Sequence, residues 1–135
     1  MEKFKFLEHT ADVKFQAFGK NEEEVFENSA LALKEAIYEK KVKEEKNKKI
    51  KVEGKDFESL LYVFLEEILY LLEAKNFIIS KVKKIEIKNF KLSVIISGDK
   101  ASNYDFNNEV KAVTYNDMFV KKIKNKWTAQ VVLDV

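Results

Sequence analysis

The only histidine in this 135-residue chain, His9, stands three residues ahead of an acid in the stretch Glu8-His9-Thr10-Ala11-Asp12. A histidine near a carboxylate is a common general acid/base arrangement. The same residue types beside a turn also serve structure alone, with Thr10 or Asp12 capping the turn through a side-chain oxygen. A second acidic point is Asp134, followed directly by Val135 and its carboxylate. Two negative groups one residue apart repel unless a cation or a positive side chain stands between them, or water screens them at an exposed end. The third feature is Lys111, a charge within the strand-forming run Glu109-Val110-Lys111-Ala112-Val113-Thr114-Tyr115. Facing inward, it needs a carboxylate or phosphate partner to stay charged. On an edge strand it would instead discourage edge-to-edge pairing. No serine sits in a nucleophile elbow, and the chain has neither a glycine-rich phosphate loop nor an HExxH pair.

Composition narrows the chemistry further. There are no cysteines, which excludes disulfides, thiolate catalysis and cysteine-ligated zinc, and one histidine cannot supply a multi-histidine metal site. A metal held by this chain alone must be held by oxygen. The 25 basic residues, all lysine, are nearly balanced by 23 acids for a net charge of +2. That balance does not signal nucleic acid, and without arginine the bidentate reading of guanine or phosphate is missing, although lysine can still hold a phosphate as a point charge. The N-terminal MEKFKF is not a secretory signal, so a cytoplasmic protein is expected. The most apolar stretch, Phe57 to Leu72, carries Glu58, Glu66 and Glu67 and is too short and charged to span a membrane. The length suits one domain over 1–135.

Apolar positions alternate over Phe4–Leu7 and Val13–Phe18, which predicts two short strands, the second closed by Gly19. Their parity switches from even to odd across HTAD, so the strand is interrupted there. Asn21 followed by Glu22, Glu23 and Glu24 starts a helix of about five turns, with Lys40 and Lys41 at its favourable end. The charge run Lys40–Lys49 is expected to be a frayed helix end and a solvated loop, with Ile50 and Val52 in a third strand that stops at Gly54. Asp56 caps a second helix from Phe57 to Leu72 that is apolar nearly all round, which implies packing on two sides or a partner surface. A hairpin turning near Lys88-Asn89 ends at Gly98, and Asp99–Asn108 reads as an exposed loop. Val110–Tyr115, Met118–Ile123 and Trp127–Leu133 are the last strands. These elements predict an α+β fold, a two-layer sandwich of a mixed β-sheet with two helices packed on one face.

HTAD near the N-terminus, EVKAVTY in the last third and VVLDV as the final residues, in that order over nearly the whole chain, resemble the archease family. The resemblance implies a small α+β protein that is not itself an enzyme. It would activate the RtcB-type tRNA-splicing ligase, promoting guanylate loading and multiple turnover and broadening nucleotide use. It also implies a metal site, described with calcium, that maps here to Asp12, Asp134 and Val135, with Lys111 functionally important; beside that site His9 is read as support, oriented by Glu8, Asp12 or a main-chain carbonyl. The implied partners are the tRNA-splicing ligase RtcB and, indirectly, tRNA, with no DNA and no membrane. Many members carry histidines where this chain has Asn116 and Asn107-Asn108. Calcium suits the oxygen donors that remain, since it takes roughly six to eight oxygens in flexible geometry. Two other readings stand beside this one. A metal-dependent hydrolase would use His9 as base with Asp12 and Asp134 as ligands. A small RNA-binding module would use lysines with Tyr104 and Phe106 as exposed aromatics.

Overall fold

A computed structural model describes every residue except 9, 10 and 107. In chain order the elements are β1 (Phe4–Leu7), β2 (Val13–Gly19), α1 (Glu22–Ile37), β3 (Lys46–Glu53), α2 (Phe57–Lys75), β4 (Phe77–Lys88), β5 (Lys91–Lys100), a 3-10 turn (Ala101–Asn103), β6 (Ala112–Ile123) and β7 (Lys126–Asp134). The fold is α+β, as the sequence predicts, but the single mixed sheet is replaced by two antiparallel ones. One has the order β1-β2-β7-β6 and the other β3-β5-β4. Strands β3 and β4, joined through α2, run parallel to each other as a crossover helix requires. Strand β5 folds in between and pairs antiparallel with both, so no parallel ladder forms. Both helices contact strands of both sheets, and the buried side chains of helices and sheets form one cluster.

The parity switch at HTAD has a plain cause. Strands β1 and β2 form a hairpin in which Phe4 pairs with Ala17 and Phe6 with Phe15, so even positions on one strand share a face with odd positions on the other. Helix α1 starts where expected: Asn21 Oδ1 accepts from the Glu24 amide at 2.8 Å, and Glu24 returns the bond to the Lys20 amide at 2.9 Å. Gly19 just before it is required by close approach, because a Cβ there would lie 2.5 Å from the Val25 nitrogen. The helix ends at Ile37, short of Lys40 and Lys41; Lys34 occupies its last turn.

The charge run is not all loop. Lys46–Lys49 belong to β3, with Lys48 opposite Ile96, and Val42 ahead of it is buried. An edge strand is held by backbone pairing and one buried face, so it tolerates lysine at half of its positions. Likewise Asp99 and Lys100 belong to β5. Asp99 is buried and accepts from the Tyr104 hydroxyl at 2.8 Å and the Lys100 amide at 2.8 Å, while Tyr104 also accepts from the Lys43 amide. The Tyr104 hydroxyl holds the Asp99 carboxyl below its usual range. Tyr104 and Phe106 pack edge-on against Tyr38, so they are not the free stacking platforms that the RNA-module reading needs.

Helix α2 explains its own all-round apolarity. Leu60, Leu61, Phe64, Leu65, Ile68 and Leu69 are buried in the cluster, and one remaining stripe lies along β6, the edge of the four-stranded sheet. Glu58, Tyr62 and Glu66 recur every four residues on that stripe. Glu66 accepts from the Val113 amide at 2.7 Å, Glu58 accepts from the Val120 amide at 2.9 Å, and between them Tyr62 stacks on Tyr115 at 4.2 Å. A sheet edge that would otherwise offer bare amides is thus closed by two carboxylates and a ring pair.

Candidate functional site

Four of the five residues singled out in sequence lie toward one end of the four-stranded sheet. Strands β2 and β7 pair from Val13–Leu133 to Gly19–Trp127, and Asp12 and Asp134 are the next residues outward from the first pair. Strand β6 joins from the other side, with Ala112 opposite Asp134 and the Lys111 amide donating to the Asp134 carbonyl at 2.7 Å. Residues separated by more than a hundred positions in sequence are brought together because β7 is the central partner of both β2 and β6. Asp12 is half-buried, Asp134 and Lys111 are exposed, and Val135 is 41% exposed. Lys111 is therefore not an inward-facing charge. His9 lies outside the described residues.

The face of the sheet that carries this end is set by parity. Val13, Phe15 and Ala17 pair with Leu133, Val131 and Ala129 on the core side, which puts Lys14 and Gln16 with Val132 and Gln130 on the other. On that outer side Gln16 donates to Gln130 at 2.9 Å, and Gln130 donates to the Asp117 carbonyl at 2.8 Å. Asp117 comes from an irregularity in β6. Between the Thr114–Val132 and Phe119–Gln130 pairs, four residues of β6 face one of β7, and Asp117 adopts a left-handed φ of 56°. The extra residues join the two strands predicted at Val110–Tyr115 and Met118–Ile123 into one bent strand. They carry the Asp117 carboxylate to 3.7 Å from Lys14, which follows Asp12 by two positions. Sequence reasoning missed Lys14 and Asp117; the NDM stretch interrupting the alternation was the available signal.

Among the described residues no group of three His, Cys, Asp or Glu side chains converges. The oxygen-bearing groups toward the sheet end are the side chains of Asp12 and Asp134 and the main chain of Val135. An all-oxygen, partly exposed set of this kind fits a hard cation that completes its shell with water, and does not fit zinc. No helix among the described residues is long and apolar enough to cross a membrane.

The sequence profile of the Archease protein family (MTH1598/TM1083) matches residues 4–135. The chain belongs to the archease family. Protein archease of Methanosarcina mazei is 40% identical over 140 residues, covering 98% of this chain and 96% of the relative. Protein archease of Pyrococcus abyssi is 37% identical, with both chains covered in full. The solution structure of Methanobacterium thermoautotrophicum protein 1598 superposes with a TM-score of 0.79 at 32% identity over the whole of both chains. The crystal structure of a Thermotoga maritima archease, described as a possible chaperone, shares the fold with a TM-score of 0.69 at 20% identity, covering 96% of this chain and 94% of that one.

Proposed function

We propose that this archease is a non-catalytic activator of an RtcB-type tRNA-splicing ligase, acting through the carboxylate-bearing sheet end built by Asp12, Asp134 and Val135. The observation that carries the reading is the strand register that brings Asp12, Lys111 and Asp134, from three separate sequence motifs, toward one end of the sheet. Asp12 and Asp134 would hold a hard divalent cation such as calcium, together with a Val135 oxygen. A bound cation would supply charge neutralisation between carboxylates that otherwise repel.

The chain's own residues do the rest. The Lys111 amide fixes the Asp134 backbone, so the carboxylate is presented from a paired strand end rather than a loose tail. Lys111 itself is exposed and offers its ammonium to a partner surface. Engaging the ligase with this end favours the ligase conformation competent for guanylate transfer, a population shift in the partner that needs no bond made by this protein. The reading is tested by ligation under multiple turnover with Asp12→Asn and Asp134→Asn proteins whose fold is confirmed by circular dichroism. Loss of activation is expected, and full activation by both variants would overturn the reading.

A further inference from the structure

The net charge of +2 conceals a segregation. Strands β3, β4 and β5 contain ten lysines against three acids, a net +7, which leaves the remainder of the chain at −5. The pairing shows where those lysines point. Across the sheet the rows read Asn47–Ser97–Lys81, Lys49–Ile95–Lys84, Lys51–Ser93–Glu86 and Glu53–Lys91–Lys88. They lie on the face opposite buried Leu92, Val94 and Ile96. Glu44 occupies Lys81 and Lys83 at 3.1 and 3.5 Å. Among the described residues, Lys49, Lys51, Lys84, Lys88 and Lys91 are exposed and make no ion pair.

We propose that this outward sheet face, with its lysines along both edges of a shallow Ser93-Ile95 floor, docks an RNA phosphate backbone. Lys49 and Lys51, two apart on β3, lie about 6.6 Å from each other, Lys84 and Lys88 stand four apart on β4 with Glu86 between them, and the two edge strands lie about 10 Å apart. Such a comb of cations without ion-pair partners among the described residues is complementary to the closely spaced charges of a polyanion. Lysine point charges without arginine forks grip phosphate and do not read bases, so binding is independent of sequence. Protection of the sheet edges accounts for a charge or two on β3 and β4. It does not account for Lys88 and Lys91 beside the hairpin turn. The choice of RNA among polyanions rests on the ligase reading above; the comb itself does not.

The test is fluorescence anisotropy of a labelled tRNA transcript with the full chain, without ligase, across a salt series. Five phosphate contacts give a slope of log affinity against log salt of about −3.5, or roughly a 100-fold loss from 50 to 200 mM. Replacing Lys49, Lys51, Lys84, Lys88 and Lys91 with Gln is expected to abolish most of that slope. Replacing five exposed lysines elsewhere (Lys3, Lys20, Lys40, Lys41 and Lys75) is expected to preserve it. A folded five-site variant that binds like the unmodified protein, or equal loss in the control set, overturns the proposal. Should the five-site variant aggregate, the pair Lys49→Glu and Lys84→Glu keeps both edges charged, and unchanged binding by that pair overturns it too. Ligase activation measured on the same variants separates the two readings: lost RNA binding with intact activation supports this one, and intact RNA binding by the five-site variant sinks it alone.

Discussion

Removing the Glu66 carboxylate tests whether α2 holds the edge of the four-stranded sheet. The Val113 amide that it accepts at 2.7 Å belongs to a residue only 2% exposed, and β7 lies on the strand's other side. In Glu66→Ala that donor is left buried and unpaired, at a cost of about 1–3 kcal/mol on top of lost packing. For a chain of this size, about 2 kcal/mol corresponds to a fall in Tm of roughly 6–10 °C. Glu66→Gln retains a carbonyl acceptor of nearly the same shape and loses only the charge assistance, so it should cost under about 1 kcal/mol. Thermal and urea denaturation of both variants gives the stabilities, and hydrogen exchange at the Val113 amide reports the bond itself. Exposed Glu73 on the same helix provides the comparison, since Glu73→Ala should stay within about 0.5 kcal/mol of the unmodified protein. If Glu66→Ala matches Glu73→Ala in stability and leaves Val113 equally protected, the carboxylate does not close the edge and the account of α2 is wrong.

Phe64 is fully buried and stacks on Phe26 at 6.3 Å, so Phe64→Ala should cost about 3–5 kcal/mol in urea denaturation; a loss below 1 kcal/mol would contradict the core assignment. Asp99 carries a pH signature. Because the Tyr104 hydroxyl depresses its folded pKa below the ordinary 3.8, the unfolded chain takes up the proton first as pH falls. The stability from this group is complete above that ordinary value and is lost as pH drops through the depressed one. The stability gap between the unmodified protein and Asp99→Asn should therefore shrink between neutral pH and pH 3, and a gap that stays constant would exclude the ionised carboxylate as its source.

Local signals in the sequence carried the elements well, because caps and periodicity act within a few residues. Asn21 and Asp56 are the N-caps of the two helices, and the hairpin turns at Asn89-Phe90, both with left-handed φ. Partner choice was not legible. Nothing in the alternation of Val13–Phe18 says that it lies beside Trp127–Leu133, or that β5 separates β3 from β4. Lysine at half of its positions hid β3, because edge pairing uses the backbone and leaves one face free to be polar. The same feature hid the charge comb, since a total of +2 reports nothing about which residues share a face. Asp12, Asp134 and Lys111 stood out by type and by resemblance, while their common location came from pairing alone. Glu58 and Glu66 served in the sequence only to argue against a membrane span, although their spacing with Tyr62 marks a single stripe.

The end of the sheet bearing Asp12 and Asp134 is proposed to activate an RNA ligase without doing chemistry of its own. The most direct measurement is the extent of guanylate loading on the cognate ligase, from labelled nucleotide, with the unmodified protein, with Asp12→Asn, with Asp134→Asn and with neither. The account predicts that the unmodified protein raises loading and that each variant, folded to the same Tm within a few degrees, returns it toward the level of the ligase alone. Loading that the variants raise as fully as the unmodified protein does would contradict it.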